Sequence, residues 1–315
     1  MKISVAMTLY HPGAFLEPQL RSILTQTRPP DEIVLGDDAP EPATTALVEA
    51  LQREFPATEL RYTANPRTLG VDRNFASVIE RTTGELIFLS DQDDVWLPEK
   101  IERLSAAAGE GGAFCNSTAV DADLRPLGFT HWNTRHYAPI PDPEHQFIFF
   151  LRRVPAAGHN MVFHARWKEL LLPFPGLRGC YDSWIGLMIA TVAEWHAVDR
   201  ELTLYRVHGN NLSRPRAPGL MAQLAALEES RANDSVAWTI ELLYAVLLRC
   251  DEKRIALDPH RRKLFFERLR HARAREQLPE RLLPKLTTVS RELFSGRYSR
   301  WGHGWRNAVQ DLFFR

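Results

Sequence analysis

The sequence predicts an α/β protein: a mostly parallel central sheet flanked by helices, with an all-helical C-terminal extension. Three observations predict it. Over the first third, short apolar runs alternate with stretches of helical periodicity, the pattern of βαβ units that cover both faces of a sheet. The run Leu86-Ile87-Phe88-Leu89 ends in a crowd of acids, Ser90-Asp91-Gln92-Asp93-Asp94, and open sheets of this kind bind ligands just beyond their strand ends. From Pro215 onward the composition turns to helix-forming Leu, Ala, Glu and Arg.

Strands are predicted at residues 3–8, 32–36, 59–62, 85–89 and 113–116. Between them, Leu16, Leu20, Ile23, Leu24 and Thr27 share one helical stripe. Leu47, Ala50, Leu51 and Phe55 form a second, and Phe75, Val78, Ile79 and Thr82 a third. A helix is expected to start at Pro98. The section 117–209 mixes loops with a short strand, Met161-Val162-Phe163, and a helix from Asp182 to about Glu194. Prolines at 126, 139, 141, 143 and 155 keep its first half irregular, which suits loops that shape a pocket. Residues 220–248 and 260–283 read as helices, with proline breaks at 259, 279 and 284. A boundary is placed at 211–218, dividing the chain into 1–212 and 213–315.

At 315 residues the chain can bury a large core. Lys plus Arg equal Asp plus Glu at 39 each, so no overall field draws it to nucleic acid or anionic lipid, and no nucleic-acid partner is expected. Cys115, Cys180 and Cys250 are odd in number and far apart, fitting neither a disulfide framework nor a zinc site. With no signal-peptide pattern at the start and no apolar run of the roughly 20 residues needed to cross a bilayer, a cytoplasmic location is expected.

Neighbouring carboxylates repel and raise one another's pKa, so three acids within four positions are costly unless a cation sits among them. Magnesium and manganese suit oxygen ligands and share them with a substrate's phosphate oxygens. Nucleotide chemistry follows. Acids also favour helix N-termini, and one would serve the helix expected at Pro98; three favour a site.

Several ordered pieces then resemble the inverting glycosyltransferases of family 2, which have the GT-A nucleotide-sugar fold. They are Thr8-Leu9-Tyr10, Ser22-Ile23-Leu24-Thr25-Gln26-Thr27, Glu32 to Asp38, then Asn65, Gly70, Arg73 and Asn74, and the DxD-like Asp91-Gln92-Asp93-Asp94-Val95-Trp96-Leu97-Pro98. Tyr181-Asp182-Ser183-Trp184 and Tyr205-Arg206-Val207-His208-Gly209-Asn210-Asn211 complete the series. The likeness covers roughly 1–212 and implies a catalytic domain with a nucleotide-binding half, 1–116, and an acceptor half, 117–212. The tail, with Gly296-Arg297-Tyr298 and Gly304-Trp305, is similar to bacterial rhamnosyltransferase-like members that build O-antigen-type surface polysaccharide.

The resemblance implies a Mn2+ or Mg2+ ion held by Asp93, Asp91 and His208, with Asp94 in support. The donor, a dTDP- or UDP-sugar, is assigned to Thr8, Tyr10, Asp37, Asp38, Asn65, Gly70, Arg73, Asn74 and Asp91, with Arg67 as the alternative phosphate partner. Asp37 and Asp38 are also good turn chemistry. Asp182 is assigned the proton of the acceptor hydroxyl, and it also suits the start of the apolar helix after it. Where many relatives carry an acid or His before this Asp, the chain has Tyr181. Trp184, His159 and Asn160 are candidates for the acceptor, a glycan or lipid-linked saccharide.

Arginines 261, 262, 268, 270, 273 and 275, with Phe265, Phe266, Trp301, Trp305, Phe313 and Phe314, offer a face for the anionic inner leaflet or for packing on the core. Two other functions remain open: sugar-phosphate nucleotidyl transfer, against which the glycine-poor Leu9-Tyr10-His11-Pro12-Gly13 argues, and a non-catalytic sugar-nucleotide or glycan-binding module.

Overall fold

The structure, a computed structural model, describes residues 1–139, 142–177, 179, 181–209 and 235–314. The boundary expected at 211–218, the first part of the helix expected over 220–248, and Cys180, Asn210 and Asn211 lie outside the described residues. The chain forms two compact units. Residues 143–152, expected to be irregular and placed in the first region, form a helix, Pro143–Arg152, that groups with the C-terminal helices. Its apolar face explains this: Phe147, Phe150 and Leu151 are buried, and Phe147 meets Phe265 with ring centroids 5.8 Å apart.

In the first unit, β1 (Ile3–Leu9), β2 (Glu32–Asp37), β3 (Glu59–Ala64) and β4 (Leu86–Ser90) pair in parallel in the order β3-β2-β1-β4. The helices α1 (Leu16–Leu24), α2 (Pro42–Glu54) and α3 (Val71–Arg81) connect them. β1 and β4 read as continuous apolar runs because both faces are covered. Beyond β4 the sheet turns mixed. It continues through β8 (Met161–His164), β6 (Gly112–Val120), β9 (Trp195–Arg206) and β5 (Val95–Trp96), with β7 (Pro126–Thr130) on β6. β8 is antiparallel to both β4 and β6. The helix expected at Pro98 starts two residues later, as α4 (Lys100–Ala107). Two short helices, α5 (His131–Arg135) and α7 (Lys168–Leu171), flank the Pro143–Arg152 helix, here α6. α8 (Tyr181–Val192) is buried from Trp184 to Thr191, as an all-apolar helix must be.

Register sets the functional edge. Leu9 pairs with Asp37 and Met7 with Ser90, so Tyr10, Asp38 and Asp91 leave the sheet side by side.

The second unit adds α9 (Ser235–Glu252), α10 (Pro259–Glu276), α11 (Leu282–Phe294), α12 (Arg297–Trp301) and α13 (Trp305–Phe314). Pro259 opens α10 at a position where a missing N–H costs nothing, and Asp258 caps it by accepting from His260 and Arg261 N–H at 2.9 and 3.0 Å. Pro284 sits inside the first turn of α11, so it tolerates the helix there and does not break it. Among the described residues no helix is long and apolar enough to cross a membrane.

Candidate functional site

The acidic loop is held in place by polar residues of the α1 segment. Gln19 Nε2 donates to Ser90 Oγ (2.8 Å), Ser22 Oγ accepts from Trp96 N–H (3.0 Å), and Gln26 Nε2 donates to the Leu97 carbonyl (2.8 Å) while accepting from Ile101 N–H (3.1 Å). Gln19 and Ser22 lie one turn apart on α1 and Gln26 just past its end, so this one segment pins the loop from β4 to α4. Gln92 ties the same loop to β1, accepting from Tyr10 N–H at 2.8 Å and donating to its carbonyl at 3.0 Å. On the other side Arg206, at the end of β9, donates through its backbone N–H to Asp94 (3.1 Å) and through Nε to the Asp93 carbonyl (2.8 Å). Its guanidinium lies over the Phe15 ring, 4.4 Å from the centroid.

The acids divide into two groups. Asp93 Oδ2 lies 2.9 Å from His208 Nε2. Asp91 turns the other way, toward Asp94 and His159, and the nearest ligand atoms of these three lie within 4.8 Å of one another. His159 Nδ1 stands 3.4 Å from Asp91 Oδ2 and 3.8 Å from Asp94 Oδ2. Asp94 is fully buried, and its Oδ2 has no hydrogen-bond partner among the described residues. Burial lifts the Asp94 carboxyl to about 7, with His159 opposing and the charges of Asp93 and Asp91 adding to the rise. Burial and then Asp91 push Asp93 up as well, against the pull of His208. Burial disfavours a charged His159, but Asp94 and Asp91 outweigh it and its pKa is raised.

Beneath the cluster lies Lys100, fully buried, donating to the His159 carbonyl at 2.6 Å and to Thr203 Oγ1 at 2.8 Å. Burial pulls its pKa down to about 8 although Asp94 and Asp91 favour the charge. Sequence reasoning missed Lys100, Gln92 and Arg206 as parts of the site. The signal was there for Lys100, a charge in the first turn of an apolar-faced helix just after the acids.

These residues fit a divalent cation. A buried carboxylate oxygen without a partner is expensive, and the donors are oxygens and imidazole nitrogens suited to Mn2+ or Mg2+.

The donor candidates serve in different ways. Asp37 is wholly buried, accepting from Ala39 N–H (2.9 Å) and Tyr62 Oη (2.8 Å). Asp38 accepts from Asn65 Nδ2 (2.8 Å) and from the backbone N–H of Leu69 (3.0 Å) and Gly70 (2.9 Å). Asn74 accepts from Asn65 and donates to the Gly36 carbonyl at 2.9 Å. Asp38, Asn65 and Asn74 therefore brace the loop 65–70, while Asp37 ties the end of β2 to Ala39 and Tyr62. Gly70 takes φ of 82° where α3 begins, a conformation that favours glycine. Thr8 is half-buried, whereas Tyr10, Arg67 and Arg73 are exposed at this edge.

Asp72, in the first turn of α3, joins the two halves by accepting from Gly179 N–H (2.7 Å) and Tyr181 N–H (2.9 Å) at the start of α8. Tyr181 stacks on Phe75, centroids 4.1 Å apart, and points its hydroxyl at Asp91 Oδ1, 3.4 Å away. Gly158 makes room, for a Cβ there would stand 2.3 Å from that hydroxyl. Asp182, half-buried in the first turn of α8, accepts from the Ser183 N–H at 2.6 Å. It lies inside the helix, with the capping done by Asp72.

All three acceptor candidates are buried. Trp184 is fully buried and donates to the Leu171 carbonyl at 2.9 Å, leaving no ring face for a sugar. His159 is 4% exposed, stacked on Tyr205, and Asn160 is fully buried, donating to Ser117 Oγ at 3.1 Å. The cause is β8. Because it inserts between β4 and β6, His159 just before it is drawn against Asp91 and Asp94.

The parallel half-sheet with acids at its carboxyl edge and a helical C-terminal region is a GT-A-like glycosyltransferase fold. Residues 4–170, more than half of the chain, match the model of glycosyl transferase family 2, and the chain belongs to that family. It is 27% identical over 220 residues to the dTDP-rhamnosyl transferase RfbG of Shigella flexneri, covering 65% of this chain and 72% of that protein. An uncharacterized glycosyltransferase of Nostoc is 32% identical over 105 residues, covering 33% of this chain and 32% of the relative's length. Among solved structures, S. aureus TarS 1–349 in complex with UDP matches at a TM-score of 0.56 and 15% identity, covering 99% of this chain and 80% of that one. The Pyrobaculum calidifontis mannosyltransferase PcManGT, in complex with GDP-Man and Mn2+, matches at 0.53 and 15%, covering 98% and 85%.

Proposed function

We propose that this chain is a cytoplasmic, metal-dependent, inverting glycosyltransferase. It moves a sugar from a nucleoside-diphosphate donor to a hydroxyl of a glycan or lipid-linked acceptor in bacterial surface-polysaccharide synthesis of the O-antigen type. One observation carries the reading: in a family 2 chain, three acids and two histidines converge at the carboxyl edge of the sheet around a buried carboxylate oxygen that lacks a partner among the described residues.

Asp93 and His208 would hold the cation with Asp91, while Asp94 and His159 support it from below. When bound, the ion supplies positive charge against the departing diphosphate. Tyr10 at the end of β1 is exposed for stacking on the base, and Arg73 or Arg67 for the diphosphate. The loop 65–70, braced by Asp38, flanks the same edge. Asp182 takes the proton of the acceptor hydroxyl as its oxygen attacks the anomeric carbon. The bond from that carbon to the phosphate oxygen breaks, its electron pair leaves with the diphosphate, and configuration inverts. Tyr181 links this residue to the acidic loop by reaching Asp91.

The likeness to RfbG supports dTDP-rhamnose as the first donor to test, and the UDP bound by TarS supports UDP-sugars as the second. A thermal-shift screen of nucleotide sugars, with and without Mn2+, selects the donor, and release of the nucleoside diphosphate reports turnover. Stabilisation by one sugar nucleotide only with Mn2+ supports the reading. Binding without hydrolysis or transfer to any acceptor would make the chain a sugar-nucleotide-binding module instead.

A further inference from the structure

The last 35 residues, 281–315, carry seven basic side chains and two acidic ones. Both acids are consumed internally. Glu292 accepts from Arg297 at 2.6 and 2.8 Å and from His271 at 2.8 Å. Asp311 accepts from Arg275 at 2.6 and 2.9 Å and from Tyr298 Oη at 2.6 Å. This stretch therefore shows solvent no side-chain carboxylate. Arg281, Arg291 and Arg306 are exposed with no ion pair among the described residues, and Arg300 is paired to Glu267 of α10 at 2.9 Å.

The same stretch holds seven of the thirteen large apolar side chains exposed among the described residues, so the exposure is concentrated and not scattered. On α11 these are Leu282, Leu283 and Leu286, and at its end Phe294, 88% exposed. On α13, Trp305, Val309 and Phe313 are 65%, 40% and 67% exposed, and their spacing of four puts them on one face. The tail aromatics thus divide. Trp301 and Tyr298 are buried and hold the unit together, while Trp305, Phe294 and Phe313 project outward.

We propose that this face of α11 to α13 seats the protein on an anionic lipid bilayer. Arginine next to exposed Trp, Phe and Leu is what a surface-lying segment needs: the rings enter the headgroup boundary and the guanidinium groups meet lipid phosphates. A second copy fits worse, because a two-fold contact would set the excess positive charge against itself. The inference stands whether or not the transferase reading does.

Co-sedimentation of the full chain with vesicles tests it. The protein should pellet with phosphatidylcholine vesicles containing about 30% phosphatidylglycerol, and far less with phosphatidylcholine alone. The double variant Trp305→Ser/Phe313→Ser, made at exposed positions, should keep its melting temperature and lose partitioning at least about tenfold. Arg291→Glu/Arg306→Glu should lose binding to the anionic vesicles in the same way. A chain that stays in the supernatant, that binds both vesicles equally, or whose variants bind like the parent overturns the proposal. So does gel filtration showing a dimer that Trp305→Ser/Phe313→Ser dissociates, which would make the face a subunit contact.

Discussion

His208 Nε2 lies 2.9 Å from Asp93 Oδ2, although 115 residues separate them in the chain. The contact forms because β9 runs back beside β6 and β5, carrying its end over the acidic loop, and Arg206 clamps that end to Asp93 and Asp94. Asp93→Asn and His208→Ala should each weaken Mn2+ binding about 10- to 100-fold, with a larger loss of turnover. Calorimetric titration of Mn2+ checks this. Unchanged Mn2+ affinity in both variants would remove the pair from metal binding.

Asp182→Asn keeps the size and the bond to Ser183 but cannot accept a proton. Transfer should fall by about 10²- to 10⁴-fold while donor binding, read by thermal shift, stays as in the parent. Near-normal turnover would take the base role away from Asp182.

Asp72→Ala removes the carboxylate that receives Gly179 and Tyr181 N–H. The expected cost is about 1–2 kcal/mol, as for a lost helix cap. Because Asp182 then loses its anchor while the donor site is untouched, kcat should drop with KM for the donor unchanged. A variant that loses donor affinity instead would show that Asp72 serves the nucleotide side.

Asp94 and His159 should each cost the metal-free protein stability as pH rises from 5 to 8, whereas His271, lowered by burial to about 4, works the other way up to pH 6.5. Asp94 has an ordinary value of 3.8 and is raised by burial to about 7, so between these values the folded state holds a proton that the unfolded state has released. Its contribution is full at low pH and is lost as pH rises through 7. His159, also raised, acts in the same direction. Glu32 does the opposite: burial disfavours its charge, but Ser4, Thr83 and Arg61 bring it down to about 2, so its contribution is complete above pH 4.5 and constant over this window. From pH 5 to 8 the melting temperature of the parent should fall relative to that of Asp94→Asn. Mn2+ should shrink this difference, since a cation needs the carboxylates ionised. Parent and Asp94→Asn curves that run parallel over this range contradict the assignment.

Much of the architecture was legible because its signals are local. Apolar runs marked β1 to β4 within two residues of their ends, and the stripes marked α1 to α3. The acids of the loop could be recognised because three neighbouring carboxylates need a common explanation. What was not legible is partnership. Asp37, Asp38, Asn65 and Asn74 look in sequence like ligand contacts, and a buried polar group also takes whatever partner the fold brings: the loop 65–70 for Asp38, Ala39 and Tyr62 for Asp37, and the Gly36 carbonyl for Asn74.

The sequence by itself determined the strands β1 to β4 and the helices α1 to α3, and that three acids crowd together just past β4, since periodicity and charge crowding act between near neighbours. Only the tertiary structure decided that β8 enters between β4 and β6, placing His159 beneath Asp91 and Asp94, and that Trp184 turns inward while Trp305 turns out. Those outcomes depend on strand order and on which surfaces meet, which no local spacing encodes.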